Sequence, residues 1–436
     1  EEIPMKSKKR PGISGILLIV LILVGVPVAY SMGFTAIVYI MAIDPSFLQV
    51  LPTRALTGVN SFILMSIPFF MLAAEIMVRT DISRKLFAFA RLFVGRFRGG
   101  LAFVNVIAST IFGSISGSAI GDMTGLGAIE IAEMEKEGYD KDFSIALSAA
   151  SSLQSPLIPP STTVMVYAGC VSISTGAVLL GGLGPGLLIG LSQIIYIFAI
   201  RKKRNFPKDD KVYEKGEKRI IMRDGIVALL LPLIILGGIL GGFCTATEAA
   251  ALACAYALFL GFVFYRNLTL KEFRDILWST SKTVGNIFMI VAFANAFSWA
   301  AGMQKIPDQL AALLLQISDN KIVLLLIVNV FFILVGMVMD VGAAIILFAP
   351  ILAPVMTKVG VNPIHFAVLT IVNLSMGVLT PPVGLVLFSA VSVGKRPFDK
   401  VVGALKPFLI IDAVILLLLI LFPQLITGIP TLFGFM

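Results

Sequence analysis

The feature that most constrains this chain is that it contains itself twice. Displaced by 222 positions, Pro159-Pro160 falls on Pro381-Pro382. In the same register come Met134 on Met356, Lys136 on Lys358, Gly138 on Gly360, Leu147 on Leu369 and Leu157 on Leu379. The match continues with Val164 on Val386, Ala168 on Ala390, Gly181 on Gly403 and Pro185 on Pro407. Coincident Leu and Ala carry little weight in so apolar a chain, so the Gly, Pro and Lys matches decide. Apolar segments interrupted by Gly and Pro at corresponding places in two halves point to a secondary carrier with its site between them.

Composition places the duplication in a membrane. Hydrophobic residues make up 58% and charged residues 14%, and the mean hydropathy is +0.99. A soluble domain of this length cannot bury that much apolar surface. The net charge of +9 comes from short basic clusters (Lys6 to Arg10, Arg79 to Arg98, Arg201 to Lys218, Arg266 to Lys282, Lys395 to Lys406). Basic loops between apolar spans mark the cytoplasmic face rather than a nucleic-acid surface. Cys170, Cys244 and Cys254 all sit in apolar stretches and His365 is the only histidine. That supports neither a disulfide frame nor a thiolate metal site. No G-x-x-x-x-G-K-[ST] phosphate loop is present, which argues against ATP hydrolysis.

The apolar lengths predict a long or bent span at 12–43, a second at 58–78 and an amphipathic surface helix at 79–98. A re-entrant hairpin follows at 100–133, with its tip at 113–118, then a crossing at 144–172 broken at 155–161, and a span at 176–200. The second half reads as spans at 225–241 and 244–265, a basic run at 266–282, a span at 283–303 and a surface segment at 305–319. A hairpin at 322–357 (tip 336–342), a crossing at 364–394 broken at 376–382, and a last span at 401–428 complete it. Residues 1–11 form a polar linker, 12–98 and 225–319 scaffold helices, and 99–200 and 320–400 the two transport repeats. Residues 201–224 form a cytoplasmic basic loop and 401–436 the C-terminal helix.

The extra crossing before the second unit inverts it, and the charges agree. Six basic residues lie on the first surface helix, against Lys305 alone at the matching place before Asp319. The expected fold is therefore an all-α polytopic membrane protein of inverted repeats, with two re-entrant hairpins and two broken transmembrane helices.

Backbone that leaves helical geometry inside a bilayer exposes groups costing several kcal/mol each unless protein, water or a ligand satisfies them. Pro frees carbonyl oxygens, Gly permits sharp turns, and Ser or Thr adds hydroxyls. Such breaks suit a dehydrated Na⁺, and the resumed half-helices point partial positive charge at a carboxylate. Close helix packing or a simple kink explains any one break equally well. Breaks at repeat-related positions favour two cation sites with the organic substrate between them.

Asp340 lies at the second tip, where its repeat counterpart is Ser118; an intramembrane carboxylate reads as functional. It suits a cation, a substrate hydroxyl or nearby backbone N–H groups. Asp122 suits a cap on the descending arm, Glu248 suits hydrogen bonding between helices, and Arg54 near a span end suits snorkelling.

The motifs GSISGSAIGD (113–122), PLIPPSTT (156–163), TATEAA (245–250), GMVMDVGAAIILFAP (336–350) and NLSMGVLTPPVG (373–384), in this order, resemble the large membrane subunit (M, DctM-type) of tripartite ATP-independent periplasmic (TRAP) transporters. The resemblance covers residues 12–428 and is nearest the sialic acid members. It implies an elevator-type importer in a bacterial inner membrane, driven by Na⁺ at two or more sites. It further implies a small four-helix membrane subunit (Q), separate or fused upstream through Glu1 to Lys9, and a periplasmic substrate-binding protein (P). The implied substrates are organic acids such as C4-dicarboxylates, sialic acid and other sugar acids. Within that reading Ser116, Ser161, Thr162 and Asp340 are the candidate substrate contacts. Ser114, Ser118, Ser155, Gly336, Met376, Gly377 and Thr380 are the candidate cation ligands.

A stand-alone Na⁺-coupled carboxylate carrier or ion antiporter shares this architecture without partners. An intramembrane enzyme lacks an evident nucleophile-base or metal-ligand set here. A channel suits the paired broken crossings less well than occlusion and alternating access do.

Overall fold

The computed structural model describes residues 17–435, except 19, 23, 209–212, 304 and 305. The proposed N-terminal linker therefore lies outside the described residues. Among them every regular element is helical. The first half holds α1 (Val28–Ile43), α2 (Val50–Val59), α3 (Ser66–Arg79), α4 (Ile82–Val94), α5 (Gly100–Ser116), α6 (Ala119–Lys136), α7 (Lys141–Ser151), α8 (Thr162–Val171) and α9 (Thr175–Ile200). The second holds α10 (Lys215–Leu240), α11 (Ala246–Phe259), α12 (Leu270–Met303), α13 (Ile306–Ile317), α14 (Lys321–Gly336), α15 (Val341–Lys358), α16 (Pro363–Gly377), α17 (Leu385–Gly394), α18 (Phe398–Leu421) and α19 (Gln424–Leu432). Six described helices are long and apolar enough to cross a membrane, or seven if α13 and α14, bent by 118°, count as one broken span.

The duplication governs local structure down to single caps. Shifting α6 by 222 residues gives the bounds of α15, and each begins on a side-chain cap: Ser118 accepts from Gly121 N and Asp340 from Gly342 N. Such caps satisfy one of the orphan N–H groups of a helix start. Asp140 caps α7 as Asn362 caps α16. Between these helices the chain turns at Gly138 (φ 87°) and Gly360 (φ 88°), a left-handed geometry that a Cβ disfavours. Both broken crossings carry a cis Pro-Pro bond, at Pro159-Pro160 and Pro381-Pro382.

The helices around the repeats differ from the sequence expectation in several places: the last span is α18 followed by the separate helix α19, and α10 begins at Lys215, inside the predicted loop at 201–224. The predicted span at 58–78 is α3 preceded by a turn and by the separate helix α2. The basic run at 266–282 and the span at 283–303 are one continuous helix of 34 residues, α12. Lys271, Arg274 and Lys282 lie on its N-terminal part, where an amphipathic helix carries charge without breaking. Helix α12 packs along α1, α2 and α3. The approach is close: a Cβ on Gly33 would lie 2.6 Å from the Phe293 ring, and one on Gly58 2.5 Å from Asn295 Cβ. Glu248 does not bridge helices; it closes a capping box with Thr245 at the start of α11. The Arg54 guanidinium lies over the Trp299 ring, 5.6 Å from its centroid.

Candidate functional site

Each hairpin tip is stitched to its own broken crossing. In the first half the Gly117 carbonyl accepts from the hydroxyls of Thr162 (3.2 Å) and Thr163 (3.3 Å). In the second, Gly384 N donates to the Met337 carbonyl at 2.9 Å. The contacts beneath the tips leave no room for side chains. A Cβ on Gly113 would lie 2.7 Å from Ser155 Oγ, and one on Gly377 would lie 2.6 Å from Gly336 Cα. The Gly residues of both breaks thus serve close packing, one of the two roles their composition allows.

Between the tips and α12 lies a cavity of about 350 Å³. Three helix N-termini converge on it: α6 through Ser118, Ala119 and Ile120, α8 through Thr162 and Thr163, and α15 through Asp340 to Ala343. Met71 on α3 and Thr283, Asn286, Ile287 and Ile290 on α12 form the opposite wall. The N-termini contribute partial positive charge. Asp340 is the one formally charged residue among those lining the cavity; no Lys, Arg or His is among them. The site can therefore hold an anionic group on backbone N–H and hydroxyl donors, while Asp340 faces a hydroxyl, an amide or a cation.

The substrate candidates divide. Thr162 and Asp340 line the cavity. Ser161 is buried; its hydroxyl donates to the Pro156 carbonyl at 2.6 Å and accepts from Val164 N as the cap of α8. Ser116 is partly buried beside Ser118, whose N lies 3.5 Å from Ser116 Oγ, and is not among the lining residues. Of the cation candidates, Ser118 lines the cavity and caps α6, and the others are not among the lining residues. Ser114 is buried with its hydroxyl on the Ile111 carbonyl. Ser155 donates to Asp122 Oδ2 at 2.8 Å. Asp122 thus meets the first broken crossing, while Ser118 takes the cap position.

In the second half Thr380 Oγ1 donates to the Met376 carbonyl at 2.6 Å and Thr380 N to the Gly377 carbonyl at 2.9 Å. The Met376 carbonyl also accepts from Leu379 N at 3.2 Å, whereas the Gly377 carbonyl keeps a second lone pair, the kind of hard oxygen that suits Na⁺. Gly336 is packed against the Leu374 carbonyl and Gly377.

Sequence reading missed Thr163, Thr283 and Asn286. The signal lay in the spacing of Thr283, Asn286, Ile287 and Ile290, which shares one helical face, but it was hidden by starting a new span at 283.

Residues 16–425 match the family described as "Tripartite ATP-independent periplasmic transporter, DctM component". The sialic acid TRAP transporter large permease protein SiaM of Vibrio cholerae is 37% identical over 413 residues, covering 95% of this chain and 96% of that one. The isethionate TRAP transporter permease protein DctMQ of Oleidesulfovibrio alaskensis is 34% identical over 399 residues, covering 91% of this chain and 62% of that one. The crystal structure of the Alcanivorax borkumensis YdaH transporter, described as having an unusual topology, matches with a TM-score of 0.69 over 94% of this chain and 98% of that one. At 14% identity that likeness concerns the fold alone. With hairpins, broken crossings and family match in agreement, the chain belongs to the DctM component, the large permease, of the tripartite ATP-independent periplasmic transporters.

Proposed function

We propose that this permease imports an organic acid across the bacterial inner membrane, coupled to an inward Na⁺ gradient, with sialic acid as the first candidate substrate. The observation that carries the reading is the cavity itself. Three helix N-termini favour an anion, and Asp340 faces the same space without a basic partner among the lining residues. A substrate carboxylate and Asp340 together place two negative charges in a low-dielectric site. Cotransported cations offset them, and the carbonyls of Met376 and Gly377 with Ser114, Ser155 and Thr380 below the tips are the candidate ligands.

Family membership makes the chain one component of a three-part system. A periplasmic protein would deliver the acid, and a small membrane subunit would brace the scaffold. The scaffold would comprise α1 to α4 and α10 to α13. Both hairpins and both broken crossings, stitched tip to crossing, would travel as one unit in an elevator motion between inverted repeats. The identity with a sialic acid permease favours that substrate, and the identity with an isethionate permease names a second acid to test.

The test is uptake of radiolabelled N-acetylneuraminate into proteoliposomes, with and without an inward Na⁺ gradient and the cognate binding protein. Uptake that requires both supports the proposal. Uptake that needs Na⁺ alone would make the chain a stand-alone carrier. Uptake indifferent to Na⁺ would remove the coupling.

A further inference from the structure

The scaffold side of the cavity offers one polar group with no internal partner. Thr283 Oγ1 donates to the Ser279 carbonyl at 3.2 Å, as a hydroxyl on a helix commonly does. Ile287 and Ile290 are apolar. The Asn286 side chain is exposed to the cavity and makes no hydrogen bond among the described residues. Its amide presents two donors and one acceptor. Across the cavity Asp340 uses Oδ2 for its own cap and leaves Oδ1 free.

The two walls are anchored to different sets of helices, although α12 also packs on α15. Helix α12 is fixed to α1 and α2 by the Gly33–Phe293 and Gly58–Asn295 contacts. The tips are fixed to the broken crossings by the Gly117 and Met337 carbonyls. Among the described residues no side-chain hydrogen bond joins α12 to a hairpin or a broken crossing. A rise of 1.5 Å per residue makes any shift of the tips by one turn or more enough to carry them past Asn286.

We propose that Asn286 is a specificity-determining residue that contacts the transported acid from the scaffold, in this arrangement of the two walls and not in the opposite one. The acid's carboxylate sits on the helix N-termini of the moving wall. A hydroxyl or amide at its far end meets the Asn286 amide, the one polar group there free to reach it. The inference rests on the import reading above and adds a direction to it: the contact tunes affinity from one side of the membrane.

Two experiments test it. In proteoliposomes, N286L is compared with wild type for N-acetylneuraminate entering and leaving, with the KM of each direction measured separately. The expected result is a KM raised about three- to tenfold, the scale of one lost hydrogen bond, in one direction only. N286Q, which keeps the amide, should recover part of that loss. A KM unchanged in both directions, or raised equally in both, overturns the proposal.

The second experiment needs no transport. With Cys170, Cys244 and Cys254 replaced by Ser, N286C and D340C are treated with a short bifunctional thiol reagent in membranes. Bridging is expected, because both residues face one cavity. Absence of bridging, while each single cysteine labels alone, overturns the proposal whatever the substrate proves to be. Bridging in the N286C/D340C double variant, with a wild type that does not carry N-acetylneuraminate on a Na⁺ gradient, would instead count against the import reading.

Discussion

In the first half the seam between hairpin and broken crossing is polar. Asn105 Nδ2 donates to Glu130 Oε2 (2.8 Å) and Ser148 Oγ (2.6 Å), Ser151 Oγ donates to Asn105 Oδ1 (3.0 Å), and Ser109 and Ser151 share a hydrogen bond of 3.0 Å. At the same register in the second half stand Ile327 for Asn105, Phe331 for Ser109, Leu352 for Glu130 and Ala344 for Asp122. There these positions are apolar, with Phe331 edge-on to Phe348 at 5.0 Å. Among the described residues, the polar side-chain contact between that hairpin and its broken crossing is one buried pair, Asn373 Nδ2 donating to Asn329 Oδ1. The second half's acidic groups lie elsewhere: Asp340 at the tip, and Asp412 buried in α18 with neither carboxyl oxygen hydrogen-bonded among the described residues. One backbone plan, set by Gly, Pro and the caps, thus carries two interiors. The polar seam holds the first hairpin together through a network that functions as a unit; the second puts its charge where a ligand can reach it.

The shared plan breaks most severely at its closest contact. Gly377→Val drives a side chain into Gly336 Cα and the Ile333 carbonyl, 2.6 and 2.7 Å from the new Cβ. Backbone there cannot yield, so the cost should reach about 3 kcal/mol or more, seen as lost monodispersity and a lower melting temperature in detergent. Gly403→Ala, with nothing within 4 Å of its Cβ, should stay within about 0.5 kcal/mol of wild type.

Importing the second half's residue into the first sharpens the contrast. Glu130→Leu leaves Asn105 and Ser109 short of an acceptor and should destabilise by about 1–3 kcal/mol. Glu130→Gln retains an acceptor and should lose less than half as much. Equal melting temperatures for the two variants would show that the seam is not held by those hydrogen bonds.

The smallest effect joins the halves. Arg396, just after α17, grips Asp142 at the start of α7 with two bonds of 2.6 and 3.0 Å. That guanidinium holds the Asp142 carboxyl below its usual range. A lowered folded pKa contributes stability above the unfolded carboxylate value and loses it as pH falls through the folded value. Arg396→Ala should therefore cost up to about 1 kcal/mol near neutrality, the pair being partly exposed. The gap from wild type should close as the pH drops below the ordinary carboxylate range. A gap independent of pH would mean the arginine acts through packing.

The repeat was legible because its markers are residues with few substitutes. Gly138 and Gly360 fill left-handed turns, and the Pro pairs and Gly tips fix the breaks. The scaffold was less legible, since α12 runs unbroken through Lys282, Thr283 and Asn286, where charge and polarity imitate a boundary. The polar seam was hidden for another reason. Glu130 and Ser148 lie 25 and 43 residues from Asn105 and meet it only after three helices fold together. The hydroxyls of Ser161 and Ser155, proposed for ligands, meet internal partners first, a competition that composition does not reveal.

The central claim is that the second tip supplies the transport chemistry on a framework both halves share. Asp340→Ala tests it most directly, by Na⁺-driven N-acetylneuraminate uptake in proteoliposomes beside co-purification with the small subunit. The account predicts uptake lost and assembly intact, because Asp340 caps an exposed helix start and faces the cavity. Uptake equal to wild type, with the same Na⁺ dependence, would contradict it.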